Sequence, residues 1–142
     1  MRRIARRAGV SHAALAYQFG EKTGIFTAVA AKGFRLAAEA IGPIATGPDG
    51  FMRGGFAYTQ FALSHPGYYE VMYLPYLYRG DDPNLVAARN AAFDILYGSA
   101  RISLAAHRRG KVTDEDVVGL VMAGWSLMHG FATLALTANL TH

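Results

Sequence analysis

MRRIARRAGVSHAALAYQFGEKTGIFTAVAAKGF, residues 1–34, is the stretch from which the fold of this chain is read. Arg2 to Ala8 has the spacing of a short helix, with Ile4 and Ala8 on one face and Arg3, Arg6 and Arg7 turned outward. Gly9 breaks it, because glycine takes positive φ at little steric cost and so allows a tight turn into a second, steeply crossing helix. Ser11 is a good N-cap for that helix. Ala5 is small enough to let the two approach, and Ile4, Val10, Leu15 and Phe19 are expected to form the apolar seam between them. His12, Ala13, Ala14, Ala16, Tyr17 and Gln18 are left for the exposed side. Small residues at a helix start let the backbone sink into a major groove, where His, Tyr and Gln can reach base edges or phosphates.

Charge points the same way without help from the motif. Met1 to Arg35 holds seven basic residues and one acidic residue, Glu21, whereas the rest of the chain holds seven basic and nine acidic ones. The overall charge of +4 is therefore a basic head on a slightly acidic body. Such asymmetry suits a polyanion bound at one end.

The pattern Ile4-Ala5-x-x-Ala8-Gly9-Val10-Ser11-x-x-x-Leu15-x-x-x-Phe19-x-x-Lys22-x-x-Ile25 resembles the DNA-binding region of the TetR family of bacterial transcriptional regulators. The resemblance implies that Arg2, His12, Ala13, Ala14 and Tyr17 meet bases, and that Gln18 and Lys22 grip phosphate. Lys22 opens a long connecting helix whose N-terminal amides also favour an anion. The chain departs from the family at Ala16, where an aromatic is usual, which implies that the phosphate or base touched there is either given up or reached by Tyr17 instead. The family also begins with one further helix of roughly fifteen to twenty residues that closes a three-helix core. By resemblance, residues 1–41 are a truncated helix-turn-helix with its connecting helix, leaving Ile4, Leu15 and Phe19 partly uncovered.

Downstream, helical spacing recurs. Lys22 to Ile41 places Phe26, Val29, Ala30, Phe34, Ala37 and Ile41 on one stripe. The loop GPIATGPDG, residues 42–50, separates it from Phe51 to Ser64, where Met52, Phe56, Thr59, Gln60 and Leu63 recur at helical spacing and His65-Pro66-Gly67 ends the run. Residues 68–78, YYEVMYLPYLY, hold five of the eight tyrosines. Aromatic walls with hydroxyl tips suit an effector pocket for a largely apolar ligand carrying a few polar atoms; equally, such rings seal a short helix against its neighbours. Asp82 caps a helix that begins at Pro83 and runs to about Arg108, with Leu85, Ala88, Ala92, Phe93, Leu96, Ala100, Leu104 and His107 on its apolar side. Thr113 caps the last helix, with Asp116 in the capping-box position.

Val117 to Leu140 contains no Asp, Glu, Lys or Arg. A membrane span of that length competes with a buried helix. Trp125, Ser126, His129, Thr133, Thr137 and Asn139 along the stretch, and the lack of a basic anchor at its far end, favour a subunit interface in which two helices from each chain form a four-helix bundle. Gly119, Ala123, Ser126, Gly130 and Leu134 fall on one side and permit close contact. Trp125 to Gly130 also resembles the Trp-x-x-x-His-Gly signature of one class of TetR-family C-terminal domains. For His129 two readings stand: a polar group facing the pocket or partner helix, or a neutral core histidine held by one hydrogen bond.

These readings combine into an all-α chain of 142 residues: the DNA-binding head and connecting helix at 1–41, and a helical effector-binding and dimerisation domain at 49–142. Phe56, Tyr58, Tyr69, Met72, Tyr73, Tyr76, Phe93, Trp125 and His129 are the expected pocket residues. With 52% hydrophobic residues the chain is no disordered tail, and the lack of cysteine removes disulfides and thiolate chemistry. The arginine-rich start has no apolar signal-peptide core behind it. The histidines form no metal-binding spacing, and no nucleophile elbow or glycine-rich phosphate loop is present in the sequence. The expected protein is a cytoplasmic, non-enzymatic regulator without metal or cofactor. It would bind a palindromic operator in double-stranded DNA as a homodimer through its last two helices and repress until an unknown small-molecule effector binds, with no membrane partner. The other reading is a small-molecule-binding helical dimer whose head is inactive.

Overall fold

The computed structural model describes residues 1–138 and 140, and within them the chain forms seven α-helices and one short 3-10 turn, with no strand. The helices are α1 (Arg2–Ala8), α2 (His12–Phe19), α3 (Lys22–Ile41), α4 (Gly50–Ser64), α5 (Pro66–Met72), α6 (Pro83–His107) and α7 (Asp114–Thr137), with the 3-10 turn at Pro75–Leu77 between α5 and α6.

Local chemistry sets most of these ends. Gly9 closes α1 in the left-handed region, φ 71°, and its neighbour Val10 turns the chain toward Ser11, whose hydroxyl accepts from the Ala14 amide at 3.0 Å and starts α2. Asp82 accepts from the amides of Asn84 and Leu85, both at 3.0 Å, ahead of Pro83 in the first helical position. At α7 the capping box is complete: the Asp116 amide donates to the Thr113 hydroxyl, and the Asp116 carboxylate accepts from the Thr113 amide at 2.9 Å.

His65 ends α4 and starts α5, because Pro66 cannot continue one helix but is preorganised to begin the next. The tyrosine-rich run is thus split: α5 stops at Met72, and Pro75 opens the 3-10 turn. The last helix ends at Thr137, short of the expected Leu140, and Asn139 lies outside the described residues.

The body is a bundle in which α3 packs along α6 and α5, while α4 packs along α7 and α6. Its centre joins Ala30, Ala31, Phe34 and Ala37 of α3 to Phe61, Met72, Leu85 and Ala88. Ala62, Tyr69 and Ala132 bring α4, α5 and α7 together, and Ala100, Val117 and Val121 join α6 to α7. Leu85 is fully buried, which stabilises by roughly 1.5–3 kcal/mol relative to exposure.

Three apolar faces differ from their sequence reading. In the head, Ala5 and Leu15 are buried and Ile4 and Phe19 half-buried, but Val10 is 46% exposed, since the Gly9 turn carries it away from the α1–α2 contact. Ala8 is exposed as well. In α4 the buried positions are Gly50, Gly54, Ala57, Thr59, Phe61 and Ala62, while Met52 and Phe56 are 56% and 60% exposed. Close approach of the loop between α3 and α4 calls for the small residues here: a Cβ at Gly54 would sit 2.9 Å from the Ala45 side chain. In α6, His107 lies on the surface beside Asp49, Nε2 to Oδ1 3.1 Å, rather than on the apolar side.

One face of α7 remains open in the protomer. Val118, Met122, Leu127, Phe131 and Leu134 are 46–68% exposed, and Gly119, Ala123 and Ser126 lie exposed among them. By length and composition alone α7 could cross a membrane. Its opposite face, however, packs onto α4 and α6 through Val117, Val121, Ala132 and Ala135.

Candidate functional site

The head exposes side chains from three helices. Arg2, Arg3, Arg6 and Arg7 of α1 are exposed, as are His12, Ala13, Ala14, Tyr17 and Gln18 of α2, and Lys22 at the start of α3. Tyr17 is 93% exposed. An aromatic ring left that open on a helix gains nothing from the fold, so it is available to a partner. Neither α1 nor α2 contains an acidic residue, so the arginines of α1 leave this end of the chain cationic. The expected base- and phosphate-facing residues are all exposed, with Arg2 contributed by α1 and Lys22 by α3.

The head is joined to the body at the start of α3. Gly24 lies directly under α2: a Cβ there would overlap the Phe19 carbonyl oxygen, so only glycine lets the two helices meet this closely. The Thr27 hydroxyl donates to the Thr23 carbonyl at 2.7 Å and accepts from the Arg79 amide at 3.0 Å. The Arg79 guanidinium lies 3.5 Å from the Glu21 carboxylate. Both groups are more than half exposed, so that ion pair is worth little on its own. It nonetheless holds the segment after α5 against the entry to α3, and the Tyr78 hydroxyl donates to the Met72 carbonyl at 2.7 Å to fix that segment in turn.

A cavity of about 210 Å³ lies among α3, α4, α5, α6 and α7. Phe34, Ala37, Ala38 and Ile41 of α3 form one wall; Phe51, Gly55 and Tyr58 of α4, Met72 and Tyr73, Phe93, Leu96 and Ser99 of α6, and Trp125 and Met128 of α7 complete it. Of the expected pocket residues, Tyr58, Met72, Tyr73, Phe93 and Trp125 line the cavity. Tyr69 and His129 stand behind Tyr58. Phe56 and Tyr76 are elsewhere: Phe56 is on the outer face of α4, and Tyr76, 78% exposed, rides on the 3-10 turn that Pro75 imposes. Aliphatic and glycine positions such as Ala37, Ile41 and Gly55 escape sequence reasoning, because nothing in their type distinguishes a cavity wall from ordinary core.

Behind the cavity lies a polar cluster. The Tyr58 hydroxyl is 2.7 Å from His129 Nδ1, and the Trp125 indole N–H donates to the Tyr58 oxygen at 3.4 Å. The Tyr69 hydroxyl lies 3.1 Å from the same Nδ1, donates to the His129 carbonyl at 3.1 Å and is 2.8 Å from Thr133 Oγ1. Burial pushes the Tyr58 phenol far above its usual range and Tyr73 up to about 12, and it lowers His129. All three are therefore neutral near pH 7, and a neutral Nδ1 is the acceptor that the Tyr58 proton needs. The Tyr73 ring packs edge-on against His129 with centroids 4.6 Å apart. His129 thus has the surroundings of the second of its two sequence readings, a neutral histidine held by hydrogen bonds rather than one facing the cavity.

Residues 1–29 match the sequence profile of bacterial regulatory proteins of the tetR family, and residues 51–142 match that of the tetracyclin repressor-like C-terminal domain. A solved structure described as a protein with unknown function from Rhodococcus sp. RHA1 superposes with a TM-score of 0.77 at 28% identity, over 99% of this chain and 73% of that one. No curated protein matches the sequence.

Proposed function

Because this chain belongs to the tetR family of bacterial regulatory proteins, a DNA-binding transcriptional regulator and not an enzyme, we propose that it is a ligand-responsive repressor that binds a near-palindromic operator as a homodimer. Two copies of α2 would enter successive major grooves roughly 34 Å apart, with Arg2, His12, Ala13, Ala14 and Tyr17 at base edges and Gln18 and Lys22 on the backbone. The open face of α7, with the exposed side of α6 beside it, pairs the protomers.

The observation that carries the ligand response is the course of α3. One helix meets the head at Gly24, and about three turns later it walls the cavity through Phe34, Ala37 and Ile41. A rigid element shared by two sites couples them when a ligand prefers one of its orientations. Tyr78 and Arg79 supply a second link, since they fix the segment after the cavity residues Met72 and Tyr73 to Glu21 and Thr27.

Gel-shift titration of the full chain on promoter DNA at several salt concentrations tests this reading. The expected result is saturable binding whose logarithm falls with the logarithm of salt by about 0.9 per phosphate contacted. Promoter DNA that stays unshifted at low salt would sink it. A second reading, a ligand-binding helical dimer whose head holds no DNA, draws on the half-buried Ile4 and Phe19 and the exposed Val10, apolar surface that the head leaves open. That unshifted gel is its expected outcome.

A further inference from the structure

The chemistry of the cavity selects among ligands. At about 210 Å³ it is larger than an apolar cavity of about 150 Å³ that holds benzene, so it accommodates one substituted six-membered ring. None of its lining residues is Asp, Glu, Lys, Arg or His. The nearest titratable groups are the Tyr58 and Tyr73 phenols and, behind them, His129, and burial keeps each of these neutral. A charged ligand would lose its hydration and meet no counter-charge.

The hydrogen bonds narrow the choice further. With the His129 proton on Nε2, Nδ1 accepts from the Tyr58 hydroxyl, and the Tyr58 oxygen accepts from the Trp125 N–H. Tyr73 is different: it lines the cavity, with the Tyr58 hydroxyl and the Trp125 indole as its hydrogen-bonding neighbours. The Trp125 N–H is itself a donor, and the Tyr58 oxygen accepts from it while keeping a second lone pair, so the Tyr73 proton can turn to Tyr58 or to a ligand in the cavity. Ser99 is spent on the Leu96 carbonyl at 3.0 Å. Tyr73 is therefore the cavity hydroxyl that can redirect its proton to a ligand, and a donor wants an acceptor.

We propose that the cavity takes an uncharged, ring-sized, mainly hydrocarbon ligand bearing one acceptor oxygen, a ketone, ester or ether, seated against the Tyr73 hydroxyl. This rests on the reading of the cavity as the effector site. Trp125 is the single tryptophan of the chain and stands in the cavity wall, so its fluorescence reports occupancy directly.

The test uses the full chain and three probes of one shape: cyclohexyl methyl ketone, cyclohexanecarboxylate and ethylcyclohexane, followed by tryptophan fluorescence and calorimetry. The ketone is expected to give saturable binding, with the carboxylate at least about 100-fold weaker at neutral pH. Tyr73→Phe is expected to weaken the ketone about 3- to 10-fold and leave ethylcyclohexane unchanged. No saturable binding of the ketone, a carboxylate that binds as well, or equal losses for both neutral probes in Tyr73→Phe overturns the proposal. If that variant does not fold, the ketone and carboxylate on the wild-type chain decide it. A gel shift run beside the titration keeps the two readings apart: binding of the ketone without a change in DNA affinity upholds the ligand class and removes the ligand response.

Discussion

At the scale of single residues, the polar cluster behind the cavity contains the side chains whose removal costs most for their size. Tyr69 is 5% exposed, and its hydroxyl meets the His129 carbonyl, His129 Nδ1 and Thr133. Tyr69→Phe leaves these groups without their partner in a buried site and is expected to destabilise the fold by about 1–3 kcal/mol, read by urea unfolding. Its neighbour His129 gives a pH signature. Its folded-state pKa lies below the usual 6.5, because burial disfavours the imidazolium. The unfolded chain therefore binds the proton first, and the contribution of neutral His129 is complete above pH 6.5 and is lost as pH falls from there through the folded value. Unfolding free energy measured across that window is expected to decline in the wild type, and to decline less in His129→Gln. Equal slopes in both would show that His129 is not the group responsible. Tyr58, Tyr73 and Trp125 are legible as cavity residues because aromatics with polar tips stand out in a sequence. Phe56 and Tyr76 stand out equally and lie outside, since residue type does not report which way a helix face turns.

At the scale of elements, caps make the chain readable and small residues make it misleading. Ser11, Asp82 and Thr113 each start the helix that their side chains announce, and Gly9 ends α1 where a positive φ is needed. In α4, by contrast, the large residues Met52 and Phe56 suggest the inner face, whereas Gly54 and Ala57 occupy it: close packing rewards absence of volume, which periodicity of large side chains cannot register. The break inside residues 68–78 is equally hidden, because Pro66 and Pro75 act as starters here and not only as stops. Predictions at this scale concern the start of α7 and the approach of α2 to α3. Thr113→Ala removes the α7 cap and is expected to cost about 1 kcal/mol in thermal or urea unfolding. The same box carries a pH limit: hydrogen bonding to Arg108, then to Thr113, holds the Asp116 carboxyl at about 2 against an ordinary 3.8, so its contribution is present above 3.8 and lost as pH drops through 2. Gly24→Ala forces α2 away from α3 and is expected to lower DNA affinity at least about tenfold, with tryptophan fluorescence of the body unchanged. A variant that bound DNA normally would show that the α2–α3 approach does not position the head.

At the scale of the whole molecule, the two ends of the chain pose one question, since a basic head reads a palindrome only if a partner copy fixes the distance between two heads. The candidate for that pairing is the open face of α7. Gly119, Ala123 and Ser126 form a shallow stripe, flanked by Val118 and Met122 on one side and by Leu127, Phe131 and Leu134 on the other. A stripe of small residues between apolar ridges lets two helices approach closely and bury both ridges, and α6 adds Ile102 and Tyr97, 51% and 37% exposed. Ala123→Glu sets a carboxylate at the centre of that face. Ala123 is exposed in the protomer, so the variant is expected to fold with a nearly unchanged unfolding midpoint of the isolated body. Pairing would bury two like charges across the symmetry axis, which is strongly unfavourable. Sedimentation is therefore expected to change from dimer to monomer, and affinity for a two-half-site operator to fall at least about 100-fold, because each head then binds without the effective concentration supplied by its linked copy. A single half-site oligonucleotide separates the effects: its weak affinity should be the same for both proteins if the substitution acts on pairing and not on the head. A variant that stays dimeric would move the interface away from α7, and one that becomes monomeric yet holds the operator as tightly as before would break the link between pairing and DNA reading.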